Sequence, residues 1–326
     1  MFEGFANVWT PVMLARKVKQ QPVPVTLAGE RLVLFRGADG QVAALFDQCP
    51  HRGAALSLGN VRDGCLQCPF HGWRFDGHGA VTHVPLSPDA KRERLFASTV
   101  PVRQFGELLW VFTAPVKQAP FEPEVPDGLV NPAFTRNYIE RLWRCHWTRA
   151  MENMLDSPHL PFVHRTTIGR SMARRMTEGS RMTVTWEPMP WGGRQRSMLD
   201  GDDSQAHLDF YRPNLMALHI PIPDKVLRMH ALVVPVDAET TRLIIVGARS
   251  FARARVLNPL FNKTNAIIAD QDQAIVESSL PKVVPPPAEE LSVATDRATL
   301  QFRRYYFDVL AGSSARPPSR SPRVAA

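Results

Sequence analysis

No stretch of the 326-residue chain approaches the roughly 20 apolar residues that a membrane-spanning helix needs, and the longest apolar runs are of strand length. Residues 1–20 lack the charged-then-apolar layout of a signal peptide, so a cytoplasmic protein with no membrane contact is expected. Cysteine is sparse: Cys49, Cys65, Cys68 and Cys145 are the only four. That excludes a disulfide-stapled scaffold and leaves reduced thiols available to metal. The chain also lacks a long basic run interleaved with stacking aromatics, despite a net charge of +8. Nucleic acid is therefore not an expected partner, and a basic surface that steers an acidic protein partner is the better reading. No internal repeat is present.

Hydrophobic residues make up 44% of the chain and charged residues 21%, the balance of a globular protein with well-developed cores. Residues 23–112 are strand-like. Leu32-Val33-Leu34-Phe35, Gly37-Ala38-Asp39-Gly40 and Val42-Ala43-Ala44-Leu45-Phe46 read as a hairpin, and Leu108-Leu109-Trp110-Val111-Phe112 as a buried strand. Proline and acid crowd residues 115–132, as in a linker. Residues 147–163 look helical at their start and are broken by Pro158 and Pro161. Strands are expected over 208–220, 229–236 and 242–249, and helices over 258–279 and 294–310. The fold class is α+β: an all-β domain at residues 1–120, then an α+β domain at 121–312 with an antiparallel sheet flanked by helices. Residues 313–326 read as a disordered basic tail.

Two segments carry chemistry. Cys49-Pro50-His51 is followed, after sixteen residues, by Cys68-Pro69-Phe70-His71. Each half supplies one thiolate and one imidazole, the mixture that a [2Fe-2S] cluster with two Cys on one iron and two His on the other requires. Gly53, Gly72 and Gly77 permit close backbone approach, and Pro50 and Pro69 stiffen the loops. The Cys65-x-x-Cys68 pair suggests a zinc knuckle or a redox dithiol. A zinc site, however, usually takes its two Cys from one knuckle and its two His from another, and a dithiol leaves Cys49, His51 and His71 unexplained. Cys65 and Cys145 are then spare, small, partly buried residues.

The second segment is Glu152-Asn153-Met154-Leu155-Asp156-Ser157-Pro158-His159-Leu160-Pro161-Phe162-Val163-His164. Asn153, Asp156 and His159 recur at intervals of three and share a face on a helical turn. His164 would point elsewhere on an unbroken helix, and the prolines let the backbone bend and bring both imidazoles together. A carboxylate would complete a two-His-one-carboxylate metal face. In the helix after Pro259, Asp272 falls within roughly 60° of Phe261, Ile268, Ile275 and Val276, while Asp270 and Glu277 point away. A carboxylate on an apolar face must be neutralised, by a metal or by a buried arginine; the metal is the reading adopted.

The run from Cys49-Pro50-His51-Arg52-Gly53 to Cys68-Pro69-Phe70-His71-Gly72-Trp73-Arg74-Phe75-Asp76 closely resembles the Rieske domain of ring-hydroxylating oxygenases. The likeness extends upstream through Trp9-Thr10-Pro11-Val12 and Gly29-Glu30-Arg31-Leu32-Val33-Leu34-Phe35-Arg36, with Phe70 where many members have Tyr. Asn153 to His164 resembles the iron motif of the same Rieske non-haem iron oxygenases, and Asp272-Gln273-Ala274-Ile275-Val276-Glu277 resembles the segment with their third ligand. The resemblance implies Cys49, His51, Cys68 and His71 on a [2Fe-2S] cluster, and His159, His164 and Asp272 on a mononuclear Fe(II). It implies Asp156 as an electron bridge to His71 of a neighbouring subunit in a head-to-tail homotrimer, with Asn153 near the iron. It further implies O2 as co-substrate, a separate ferredoxin and/or flavin reductase as partner, and a small aromatic or heterocyclic substrate. The compact chain resembles the single-component monooxygenases that hydroxylate or demethylate; dioxygenation or desaturation within the family, or a Rieske electron-transfer protein without catalysis, are the alternatives. His207, His219 and His230 lie on strands expected to wall the substrate cavity, with His219 and His230 as candidate substrate contacts.

Overall fold

The computed structural model describes residues 1–202 and 205–312; the expected tail at 313–326 lies outside them. The first third of the chain holds eleven short strands: β1 (Trp9–Leu14), β2 (Val23–Leu27), β3 (Glu30–Arg36), β4 (Val42–Phe46), β5 (Asn60–Arg62), β6 (Cys65–Gln67), β7 (Arg74–Phe75), β8 (Val81–His83), β9 (Thr99–Val100), β10 (Val102–Phe105) and β11 (Leu108–Phe112). They form sheets in the orders β1-β11-β10, β2-β3-β4-β9 and β5-β6-β7-β8. Strand periodicity explains how β3 serves two cores at once. Leu32 and Leu34 point into the main core, while Val33 and Phe35 point into a smaller one with Leu45, Leu66, Phe75, Cys49 and Cys68. That smaller core anchors the cysteine-bearing loops.

After a short helix, α1 (Asp127–Val130), come β12 (Thr135–Trp143), α2 (Trp147–Leu155), α3 (Leu160–Val163) and α4 (Arg170–Arg175). Then follow β13 (Met182–Met189), β14 (Gly192–Leu199), β15 (His207–Tyr211), β16 (Leu215–Ile222), β17 (Lys225–Pro235), β18 (Thr241–Arg249), α5 (Asn258–Ser278) and α6 (Arg297–Tyr305). The seven long strands make one antiparallel sheet, ordered β12-β18-β17-β16-β15-β14-β13. The expected single strand over 208–220 is instead the β15–β16 hairpin. Its break falls at Arg212-Pro213, because proline has no N–H to give to the ladder.

Two rows of side chains define the faces of this sheet. Asn137, Gly247, Met229, Leu218, Leu208 and Gln195 pair successively across it, as do Val246, His230, Ala217, Asp209 and Arg194 one residue away. The first row meets the helices: Gln195 Nε2 donates to Ser157 Oγ just past α2 at 2.6 Å, and Asn137 Nδ2 to Asn262 Oδ1 on α5 at 2.9 Å. The second row therefore faces the other way, toward α1. Beneath the sheet, Arg149 bonds Glu152 at 3.1 Å and Glu290 at 2.7 Å, and Arg303 pairs with both acids, tying α2 to α6. The β-rich third is joined to this sheet by Ala28 N–H to Pro235 O at 2.9 Å and Asn214 Nδ2 to Thr10 Oγ1 at 2.9 Å. Met13, Trp110, Leu232 and Ile244 lie in one continuous core.

Candidate metal centres

The two cysteine loops have the same backbone plan. Cys49 N–H donates to Ala54 O and Gly53 N–H to Cys49 O, both at 2.8 Å; Cys68 N–H donates to Trp73 O at 2.8 Å and Gly72 N–H to Cys68 O at 3.1 Å. The chain reverses sharply at φ +74° in Gly53 and +70° in Gly72, values that glycine adopts without strain. Cys49 and Cys68 are buried, whereas His51 and His71 are exposed. Burial pushes the Cys49 thiol up, and the neighbouring Cys68 adds to the shift. The imidazoles sit edge to face with centroids 4.7 Å apart, His51 stacks on Trp73, and Phe70 stacks on His71 at 4.0 Å. One thiol pair inside and one imidazole pair at the surface suit two irons in different surroundings. Cys65 and Cys145 stand apart from this arrangement. Cys145 is buried, which drives its thiol up to about 11.

The second cluster is assembled by a helix end and a distant helix. α2 stops at Leu155, before Pro158, so Asp156 lies in extended backbone and His159 opens α3. Pro161 does not break that helix but occupies its first turn, where its missing N–H costs nothing. His164 Nε2 lies 3.0 Å and His159 Nε2 3.5 Å from Asp272 Oδ1. The buried face of α5 is Asn265, Ala269, Asp272 and Val276; the expected neighbour Ile275 is instead 53% exposed, on the edge of the stripe. Among the described residues, His164 Nε2 and Asp272 Oδ1 are buried without a hydrogen-bond partner. Lone pairs from two imidazoles and a carboxylate thus converge, an arrangement that a divalent cation satisfies.

Around this cluster, Asp156 Oδ1 is 4.0 Å from His159 Nδ1, beyond direct hydrogen bonding. Burial pushes the Asp156 carboxyl up to about 6 against a hydrogen bond from the His159 backbone, and the Asp296, Glu152 and Asp272 carboxylates add to the rise. Asn153 Nδ2 is buried without a partner on the last turn of α2. Sequence reasoning missed Gln271. Its Oε1 is 2.9 Å from His164 Nδ1 and accepts from Thr167 Oγ1 at 2.9 Å. Only its adjacency to Asp272 hinted at that position. Sequence reasoning also missed Asn265, whose Nδ2 is buried and unpartnered.

The candidate substrate contacts His219 and His230 are corrected, and His207 with them. All three lie on the sheet face turned away from α2 and α5, in register with Arg194 and Asp209 rather than Gln195. His230 is fully buried beneath α1, where a Cβ on Gly128 would stand 2.3 Å from its ring. Burial drives its imidazole down to about 3.

An all-β module with paired Cys/His loops, joined to a seven-stranded antiparallel sheet and helices that gather two His and one carboxylate, defines the class of Rieske-type oxygenases. The Rieske [2Fe-2S] domain model matches residues 8–105, and the vanillate O-demethylase oxygenase C-terminal domain model matches residues 143–311, just over half of the chain. The chain belongs to the Rieske non-haem iron oxygenase family, whose members carry a [2Fe-2S] cluster and a mononuclear iron and use O2. Chlorophyllide a oxygenase of Chlamydomonas reinhardtii is 32% identical over 58% of this chain and 30% of its own length. Methylxanthine N1-demethylase NdmA of Pseudomonas putida is 26% identical over 93% of this chain and 88% of its own. The matched segments span 30 to 47% of the length of the first curated relatives. Dicamba monooxygenase bound to 3,6-dichlorosalicylic acid superposes with a TM-score of 0.79, at 21% identity over 95% of this chain and 98% of that one, which establishes the fold.

Proposed function

We propose that this chain is a terminal oxygenase that inserts oxygen from O2 into an aromatic or heterocyclic small molecule, by hydroxylation or oxidative O- or N-demethylation. In this reading residues 1–120 carry the cluster on Cys49, His51, Cys68 and His71, and residues 121–312 carry iron on His159, His164 and Asp272. The observation that carries it is the trio itself: His159 Nε2 and His164 Nε2 lie within 3.5 Å of Asp272 Oδ1, which is buried, like His164 Nε2, without a hydrogen-bond partner. Iron held there by His159, His164 and Asp272 would supply O2 activation.

The protein's own groups position the reaction. Asp156 borders His159, with Oδ1 4.0 Å from its Nδ1, and relays electrons to it from the surface, where His71 of a neighbouring copy completes the path in a homotrimer. The exposed His71 and the 38% exposed Asp156 side chain support that role. Asn153 lines the approach to His159. Asn265 lies seven residues before Asp272 on the same α5 face, about 10 Å along the helix. Its unpartnered Nδ2 suits a substrate carbonyl or carboxylate, whose acceptor removes the cost of the buried donor. Reducing equivalents come from a separate ferredoxin and/or flavin reductase. The chain's four free cysteines suit the cytoplasm, and no described helix is long and apolar enough to cross a membrane.

The test is oxygen uptake by the iron-loaded protein with a surrogate reductase, across methoxylated and N-methylated aromatic compounds. Uptake that depends on the compound and stops in Asp272→Ala supports the reading. Uptake that persists in Asp272→Ala, with mononuclear iron still bound, rejects it.

A further inference from the structure

A second gathering of metal-ligand side chains lies on the opposite face of the sheet. The β15–β16 hairpin sets His207 directly across from His219, with Asp209 two residues further along the same face. The imidazole planes are 16° apart, with centroids at 4.2 Å, and His219 Nε2 is 3.2 Å from Asp209 Oδ2. One ligand atom from each of the three residues lies within 4.8 Å of the others, as at His159, His164 and Asp272. Among the described residues only these two groups of His, Cys, Asp and Glu meet that condition.

We propose that His207, Asp209 and His219 bind one divalent transition-metal ion of the imidazole-preferring kind, Zn2+ or Cu2+, at a site separate from the iron. His207 Nδ1 is 3.4 Å from Gln205 O, so donation to that carbonyl leaves its Nε2 lone pair free to ligate. A ring N–H given to a backbone carbonyl is the usual outer support of a ligating histidine. Asp209 is buried and ionised, held by Arg194 at 2.7 and 2.9 Å. Both imidazoles are half-buried, open enough for an ion to enter. On binding, His219 exchanges its contact with Asp209 for the ion, and the two stacked rings turn so that both Nε2 lone pairs meet it. Arg194 shares the carboxylate, which makes this the weaker and more exchangeable site; Asp272 Oδ1 has no such competitor. The bound ion would clamp the β15–β16 hairpin on the side of the sheet away from oxygen chemistry.

The rival account is a plain hydrogen-bonded trio, Arg194–Asp209–His219, that takes no ion. Iron-loaded full-length protein titrated with Zn2+, with metal content read after gel filtration, separates the two. One equivalent beyond iron is expected, together with a rise in Tm because the ion binds only the folded chain. In His207→Ala the affinity should fall at least tenfold with the visible spectrum of the cluster intact. In the His159→Ala/His164→Ala double variant the extra equivalent should remain, which keeps this result distinct from any failure at the iron. Cu2+ bound to the unaltered chain gives a second readout: hyperfine coupling to two imidazole nitrogens supports the site. No extra Zn2+ in the unaltered chain, equal affinity in His207→Ala, or Cu2+ without two-nitrogen coupling overturns it.

Discussion

Gln271 Oε1 accepts from His164 Nδ1 across 2.9 Å, fixing the tautomer in which His164 Nε2 faces Asp272. The two residues are 107 positions apart and meet only because the fold brings α5 to the end of α3. Replacing Gln271 by Leu leaves a buried N–H unpaired and frees the ring to reorient. Iron affinity should drop about 10- to 100-fold, while Gln271→Glu retains it. Dialysis against a graded chelator measures this; an unchanged affinity in Gln271→Leu would show that His164 needs no support.

Asp156 contacts no ligand atom at bonding distance, yet it borders His159. Asp156→Ala should keep both metal contents and the cluster spectrum while slowing electron delivery to the mononuclear iron by at least 100-fold. Single-turnover experiments on prereduced protein expose the difference. Normal turnover in this variant removes the relay.

Asn265 is the buried polar group closest in kind to a substrate anchor on α5. Asn265→Leu should raise KM for carbonyl-bearing substrates about 10-fold or more, the scale of one lost hydrogen bond to a buried donor. Stability should hold or rise, since the unpaired amide is gone. Equal KM values for the two proteins would place the anchor elsewhere.

Acid stability should report on Asp209. Burial pushes its carboxyl up, but the hydrogen bonds from His219 and Arg194 prevail and hold it at about 2, below the ordinary 3.8. A carboxyl lowered on folding stabilises the protein above its unfolded value and loses that contribution as pH falls from about 4 towards 2. The lost amount is about 2 kcal/mol. Urea melts of Asp209→Asn should be less stable at pH 7 and show a flatter decline between pH 4 and 2. Parallel declines in the two proteins would mean the pair adds nothing.

The Cys49/His51 and Cys68/His71 set was legible because each half is a local loop with its own glycine and proline. The helical period likewise singled out Asp272 over Asp270 and Glu277; in the structure Asp272 is 5% exposed and Asp270 is paired with Arg141 at the surface. Gln271 and Asn265 stayed hidden because amides carry no pattern of their own, and their meaning depends on what stands opposite. His219 and His230 were misplaced for a different reason. Strand alternation separates residues into two faces but does not say which face the helices cover.

The order of residues alone therefore determined the donor types, their pairing within loops and the phase of α5, all of which follow from short-range backbone geometry. Packing decided the rest. By laying α2 and α5 on the Gln195–Leu218 face, it gathered His159, His164 and Asp272 there and left His207, Asp209 and His219 on the other side. A one-residue step along a strand reverses direction, so only the covering layer could choose between them.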